Sequence, residues 1–397
     1  MTKHYKAILK PFYGDISFRR GALPPLILHV FPSFVVGGAQ IRFASIANDF
    51  GRAYRHAIVA MDGDLSCRDR LSPDLDVSFP EFNFGKRETF KNVKKIVSIL
   101  KRVKPDLLVT SNWGTIEWAM ANTLARVPHL HMEDGFGPEE RARQIPRRVW
   151  LRRLFLRRAT VMLPSETLYR IAAERWRLPR RRLRYVPNGV DLARFAPGPR
   201  AGTPPWGDDP GPVVGTVAAL RAEKNLSRLI AAFAALPPPA VSPPPRLVIV
   251  GDGPARAALE GEVAARGLGG RVHFTGAIAE PARLYRFFDL FALSSDTEQM
   301  PLSVLEAMAS GLPVAATDVG DVRAMLAPAN AAYVVTLSAD ALAGAMARLL
   351  ADPAACAAIG AANRARAEQV FDERAMFSAY AALFGGARAC REEERVA

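Results

Sequence analysis

Glu298 and Glu306 stand eight residues apart, with Pro301 and Ser303 between them. Proline at the first helical position opens a helix, so Ser303 falls in its first turn, Glu306 on its second and Glu298 in the loop before it. Two carboxylates straddling a helix N-terminus can each accept hydrogen bonds from hydroxyls while the free amides between them face an anion. That chemistry suits a ligand with two polyol ends joined by phosphates. Taken in isolation, the same pair reads as a solvated loop acid and an ordinary helix-surface acid, so the surrounding sequence has to decide.

Two glycine turns add to this. Gly37 and Gly38 follow an apolar run at 26–31 and precede a helical pattern. Such a pair brings backbone amides close to a ligand at the positive end of a helix, or makes a simple tight turn. Gly251-Asp252-Gly253 begins like a dinucleotide fingerprint, but Arg256 takes the third glycine position and no acid stands about 20 residues on. It reads as a turn between a strand and a helix.

The elements that position these residues follow from the hydrophobic pattern. Seven short apolar runs lie between 26 and 187 and six between 213 and 335, separated by amphipathic stretches. Strands spaced by helices imply parallel sheets with right-handed crossovers, hence an α/β protein of two facing, doubly wound Rossmann-like domains. The proline-rich stretch from Pro197 to Pro212 divides them, giving expected domains at 1–197 and 198–370. A closing helical segment at 371–397, with Ala375, Met376, Tyr380 and Leu383 as its apolar stripe, is expected to pack back on the first domain. With 49% hydrophobic and 23% charged residues in 397, disorder and low-complexity architectures are excluded. Cys67, Cys356 and Cys390 lack any CxxC spacing, which disfavours a disulfide framework or a zinc site and fits a reducing compartment. The first 20 residues are broken by charges and do not read as a secretory signal, and no apolar run approaches a membrane span.

In order along the chain, these segments resemble the retaining glycosyltransferases of the GT-B fold, specifically family 4 (glycosyl transferases group 1). The resemblance rests on GlyGlyAlaGln at 37–40, ValProAsnGlyValAsp at 186–191, LeuArgAlaGluLysAsn at 220–225, ValGlyAspGlyProAlaArg at 250–256, ValHisPheThrGly at 272–276, and the run from Glu298 to Thr317 with its E-x7-E spacing. It implies a nucleotide-sugar donor held mainly by the C-terminal domain and an acceptor held mainly by the N-terminal one. Matched residue by residue, Glu306 binds the ribose hydroxyls and Glu298 lies at the donor sugar. The backbone of Gln299, Met300, Leu302 and Ser303 surrounds sugar and phosphates, and Lys224 neutralises the diphosphate. Gly37 and Gly38 meet the diphosphate from the other domain, and His131 points at the reacting sugar, with Glu133 and Asp134 on the acceptor side.

Two departures are visible. Ala219 stands where relatives often carry an arginine, for which Arg221 is the substitute at hand, and Gln299 stands where they often carry glycine. The resemblance further implies a retaining transfer in cell-surface polysaccharide or glycolipid synthesis, on a glycan or lipid-linked acceptor. No cofactor is implied beyond the nucleotide sugar, and no metal: fixed cations and a helix dipole stabilise the leaving diphosphate. Asp62-Gly63-Asp64 and Asp74-Leu75-Asp76 spell the metal motif of the other main glycosyltransferase fold, but lie far from the donor motifs and read as loops. The alternatives are a GT-B relative such as a nucleotide-sugar epimerase, and a basic membrane- or polyanion-binding protein without catalysis.

The formal charge of +14 is concentrated: residues 141–184 hold fifteen arginines against Glu166 and Glu174. Residues 147–158 form a partly amphipathic helical pattern with Trp150, Leu151, Leu154 and Phe155 on one face, on which Arg147 and Arg158 intrude from the two ends. The arginines then either cover the solvent side of a packed helix, or bind anionic lipid headgroups through Arg152, Arg153, Arg157 and Arg158, or hold a polyanionic acceptor. No RNA-binding signature or recognition helix supports a nucleic acid partner. The expected location is cytoplasmic, or peripheral on the inner face of the cytoplasmic membrane.

Overall fold

Short runs of Val, Ile, Leu and Ala become fully buried strands when helices cover both faces of a parallel sheet. The computed structural model describes residues 23–85, 88–140, 143–207, 211–237 and 243–396, without the side chains of 138 and 387–396. The segment before Leu23, Arg141 and the Cys390 side chain lie outside the described residues. Thirteen strands are present among the described residues, and all their ladders are parallel.

The first unit comprises Met1–Val186 and Arg374–Ala397. Its strands are β1 (Leu26–Phe31), β2 (Arg55–Ala60), β3 (Asp76–Ser78), β4 (Leu107–Ser111), β5 (His129–Met132), β6 (Thr160–Leu163) and β7 (Leu183–Tyr185), in the order β3-β2-β1-β4-β5-β6-β7. Alternate residues of each strand face opposite sides. Leu28, Val30 and Leu108 meet Ile96, Ile99 and Leu100 of helix Thr89–Val103 and Trp118 of helix Ile116–Ala125. On the other face Ile27, Val109, Leu130 and Met162 are covered by Met376, Phe377, Tyr380 and Phe384 of the last helix, Glu373–Val396.

The second unit, Pro187–Glu373, carries β8 (Val213–Val217), β9 (Arg246–Val250), β10 (Val272–Gly276), β11 (Leu290–Leu293), β12 (Val314–Thr317) and β13 (Val334–Val335), in the order β10-β9-β8-β11-β12-β13. The chain therefore divides at 186/187 and 373/374, ahead of the proline-rich stretch. Backbone bonds explain the shift: Val190 N donates to Phe371 O (2.8 Å), Glu373 N donates to Val190 O (3.2 Å), and Phe195 packs edge-on against Tyr285. The proline-rich stretch itself packs on this unit, with Trp206 stacked near Phe288. Gly251 and Gly253, at φ 142 and 159, let the turn after β9 pass against the turn after β8, where a Cβ on Gly251 would collide with the Ala218 carbonyl. Their conformation thus serves turn-on-turn packing. Among the described residues no single helix is long and apolar enough to cross a membrane.

Two buried imidazoles meet between β1 and β2, His29 Nε2 lying 3.0 Å from His56 Nδ1. Burial, reinforced by the neighbouring ring, holds His29 well below its ordinary value, and burial brings His56 down to about 4 against the opposing pull of Asp76. In the unfolded chain such rings protonate near pH 6.5, roughly. The stability that depends on neutral rings is whole above about pH 6.5, declines as the pH falls below that, and is lost by the time His56 titrates in the fold near pH 4. Urea unfolding followed by hydrogen exchange in β1 and β2 is expected to show roughly 2 kcal/mol less stability at pH 5 than at pH 7 from His56 alone. Equal midpoints at the two pH values would contradict this.

Candidate functional site

In the second sheet the strand order reverses between β8 and β11, so the loops leaving their carboxyl ends diverge and open a crevice, the place where α/β sheets bind ligands. The loop after β8 carries Lys224 and the loop after β11 carries Glu298. The structure brings them together: Lys224 Nζ donates to Glu298 Oε1 at 2.6 Å, and Ser295 Oγ donates to the same oxygen at 2.7 Å. Local structure fixes the lysine. Asn225, in the left-handed region at φ 42, ends the turn Ala222–Lys224 and caps helix Leu226–Ala234 by accepting from Arg228 N. Asn225 Nδ2 and Arg228 Nη2 both donate to Asp296 Oδ1, at 3.0 and 2.6 Å, which ties one loop to the other. The Arg221 side chain is exposed and makes no hydrogen bond or ion pair among the described residues.

Helix Leu302–Ala309 begins next to this pair. Pro301 precedes it in extended conformation and no side chain caps it, which leaves the first-turn amides of Leu302 and Ser303 open to a ligand. Glu306, half-buried on the second turn, accepts from Tyr285 Oη at 2.5 Å through Oε2. Burial raises the Glu306 carboxyl, opposed by the Tyr285 hydrogen bond and by Arg194; burial and the adjacent carboxylate push the Tyr285 phenol far up. The loop between Glu298 and the helix is pinned by backbone acceptors: Asp321 N donates to Gln299 O (3.0 Å) and Asn188 Nδ2 to Met300 O (2.8 Å). Gly320, at φ 55, lies so close that a Cβ would collide with the Glu298 carbonyl. Ser295, Tyr285 and Gly320 are contributors that the sequence pattern passed over. Serine following a buried strand end was the one signal available; Tyr285 and Gly320 carry none without the fold.

In the first sheet the order reverses between β1 and β4. Gly37, in extended conformation, precedes helix Gly38–Phe50 without a side-chain cap, and Gln40 Nε2 ties the turn back to Ser33 O at 2.9 Å. Asn112, after β4, accepts from Asp134 N at 2.7 Å, and the Asp134 carboxylate pairs with buried Arg42 at 2.7 Å. Asp62 and Asp64 accept hydrogen bonds from backbone amides within their own turn (Asp64 N and Ser66 N). Among the described residues no group of three or more His, Cys, Asp or Glu is arranged to hold a metal ion.

Three expectations for this unit need correction. His131 is 1% exposed, with Nδ1 against Thr110 Oγ1 at 2.8 Å and Nε2 facing Glu133 Oε2 at 3.5 Å, so the ring as it stands reaches no ligand. Glu133 is fully buried as the partner of Arg152 (Nε to Oε2, 3.0 Å) and does not face an acceptor. Burial would raise the Glu133 carboxyl, but Arg152 and the His131 hydrogen bond bring it below its ordinary value. Arg152, expected at a membrane surface, is 1% exposed; it also reaches Glu140 at 3.4 Å and lies over the rings of Trp113, Phe136 and Trp176. The helix Pro146–Phe155 is turned accordingly, with Trp150 59% and Leu154 49% exposed. Two buried carboxylates demand a cation, and an unpaired buried charge costs more than exposing a tryptophan. Arg153, Arg157 and Arg158 are exposed.

Comparison with known proteins agrees with this architecture. A model of the family "Glycosyltransferase Family 4" matches residues 36–194, and one of "Glycosyl transferases group 1" matches residues 207–366. A GDP-mannose-dependent alpha-mannosyltransferase of Mycobacterium tuberculosis is 40% identical over 146 residues, a stretch covering 35% of each chain. EpsF of Bacillus subtilis, named as a glycosyltransferase, is 26% identical over 337 residues, 80% of each chain. Among solved structures, Anabaena HepE in complex with UDP-glucose superimposes with a TM-score of 0.75 at 22% identity, over 91% of this chain and 100% of that one. Matched in order through both of its sheets, the chain belongs to the GT-B glycosyltransferases of family 4, group 1.

Proposed function

We propose that this protein transfers a sugar from a nucleoside-diphosphate sugar to a hydroxyl of a glycan or lipid-linked acceptor, with retention of anomeric configuration, in the synthesis of a cell-surface polysaccharide or glycolipid. The observation that carries the proposal is the Lys224–Glu298 pair at the β8/β11 crevice, beside the uncapped start of helix Leu302–Ala309. Relatives named as GDP-mannose-dependent transferases, and a structural neighbour described in complex with UDP-glucose, support a nucleotide-sugar donor.

In this reading Glu306 accepts from the ribose hydroxyls through Oε1, while Tyr285 holds its other oxygen. Lys224 exchanges Glu298 for the diphosphate, and the released Glu298 carboxylate, kept in place by Ser295, accepts from the sugar hydroxyls. The amides of Leu302 and Ser303 face the phosphates or sugar, with Gln299 and Met300 shaping the loop through their pinned carbonyls. Exposed Arg221 supplies a second cation. The acceptor oxygen bonds to the anomeric carbon on the face from which the diphosphate departs. The carbon–oxygen bond to the diphosphate breaks, its electron pair stays on the phosphate, and that phosphate oxygen takes the acceptor's proton. Charge developing on the leaving group meets a fixed ammonium and a helix dipole rather than a divalent ion. His131, through Glu133, positions the strand end and does not touch the sugar. The enzyme works on the cytoplasmic side of the membrane.

Calorimetry with UDP-, GDP- and ADP-sugars is expected to find one tight donor, and Glu306→Ala to weaken it roughly 10- to 100-fold. Unchanged donor affinity in that variant would sink the assignment. Product analysis should show free nucleoside diphosphate and a new glycoside; interconverted sugar nucleotides would mean an epimerase instead. Lys224→Ala should lower kcat by roughly 100-fold or more, as loss of one preorganised charge does, whereas chelation by EDTA should leave turnover unchanged. Gly320→Ala should reduce donor affinity through the displaced Glu298 loop, and an affinity equal to the wild type would show that this close approach is not needed.

A further inference from the structure

The corrected orientation of helix Pro146–Phe155 leaves a feature that sugar transfer does not use. Between this helix and the widened helical turn Ile171–Arg175 lies an open groove of about 320 Å³. Arg143, Arg153 and Arg175 line it, above an apolar floor that includes Pro146 and Val149. None of the three guanidinium groups forms an ion pair or side-chain hydrogen bond among the described residues, and all three are exposed. The fourth polar group is Gln144, 5% exposed. Its Oε1 accepts from Trp176 Nε1 at 2.9 Å, which fixes the amide, and its Nε2 is buried without a partner. A buried N–H donor without an acceptor is costly. Three unpaired guanidinium groups around one groove favour an oxyanion, and arginine forks suit phosphate.

What surrounds the groove indicates how that phosphate is presented. Trp150 lines the groove and is 59% exposed, and Leu154, one turn on, is 49% exposed. Twelve exposed arginines lie between 143 and 184 on this unit. Arg148 and Arg152, by contrast, are neutralised by Glu139, Glu140 and Glu133. Glu174, next to Arg175 in sequence, is the nearest opposing charge along that turn. Aromatic and aliphatic side chains standing out beside unpaired cations are the composition of a surface that lies at a headgroup layer. We propose that this groove binds the phosphate of an anionic phospholipid in a bilayer, with Trp150 and Leu154 entering the headgroup–acyl boundary. The proposal deepens the membrane-side location given above and rests on it for location alone, since the β8/β11 site and its chemistry are independent of the groove.

The test is co-sedimentation of the full chain with vesicles of phosphatidylcholine containing about 30% phosphatidylglycerol, against vesicles of phosphatidylcholine alone. The wild type should bind the anionic vesicles and not the neutral ones, with binding that falls as salt rises. Replacing Arg143, Arg153 and Arg175 by Ala should weaken binding about a hundredfold, the effect of three contacts at about fivefold each. Replacing Arg180, Arg181 and Arg182 removes the same charge away from the groove and should weaken it far less. Gln144→Leu should also weaken binding at unchanged net charge. The fluorescence difference between wild type and Trp150→Phe should shift to shorter wavelength on binding. Calorimetric donor affinity should be unchanged in every variant, which separates this test from that of the transfer reaction, and an unchanged near-ultraviolet circular dichroism spectrum reports that the first unit is folded. No binding to anionic vesicles, equal loss in the two triple variants, or binding of soluble glycerophosphoglycerol as tight as that of vesicles would each overturn the proposal.

Discussion

Parallel strands cannot be joined by tight turns, so each connection crosses a face of the sheet and returns to the same edge. A sheet wound both ways from its middle then has one point at its carboxyl edge where neighbouring loops part. In the second unit that point lies between β8 and β11, and the groups best suited to an anionic polyol lie on the loops that leave it. Lys224 and Glu298 are 74 residues apart in sequence, and the topology alone makes them neighbours. Asn225, Arg228 and Asp296 are the polar ties that turn this adjacency into a fixed geometry.

The pair is also an electrostatic arrangement waiting for a third member. A lysine one-quarter exposed, against a glutamate one-tenth exposed, is neither a solvated surface bridge nor a sealed interior one. In the proposed transfer a diphosphate would compete for the ammonium, and the carboxylate would keep its bond from Ser295. Glu306 is treated differently: a buried phenol occupies one of its oxygens, so the carboxylate presents a single free acceptor.

Fold class and strand count were legible because parallel strands buried on both faces leave continuous apolar runs separated by helix-length intervals. The Glu298–Glu306 segment was legible because a proline, a serine and two acids all lie on one local element. Legibility failed where the decisive partner is distant in sequence. Hydrophobic patterning places Trp150 inside and Arg152 outside; Glu133 and Glu140, on other segments, reverse both. His131 looked free at a strand end, yet Thr110 on the adjacent strand and Glu133 take up its ring. The prolines at 197–212 suggest a unit boundary there, whereas the chain is held to the second unit by backbone bonds between Val190 and Phe371 that no composition reveals.

The last helix gives the protein an order of assembly as well as a core. Residues from Arg374 onward belong to the first unit, although the whole second unit intervenes in the chain. Tyr380 and Phe384 cover Ile27, Val109 and Met162, which leave the ribosome more than two hundred residues earlier. The first sheet is therefore translated with part of one apolar face uncovered, and stays so while β8 to β13 are made. The unit that is synthesised first is completed last, so a chain arrested between Glu373 and Tyr380 carries a finished second unit and an unfinished first one, with exposed apolar surface that favours aggregation.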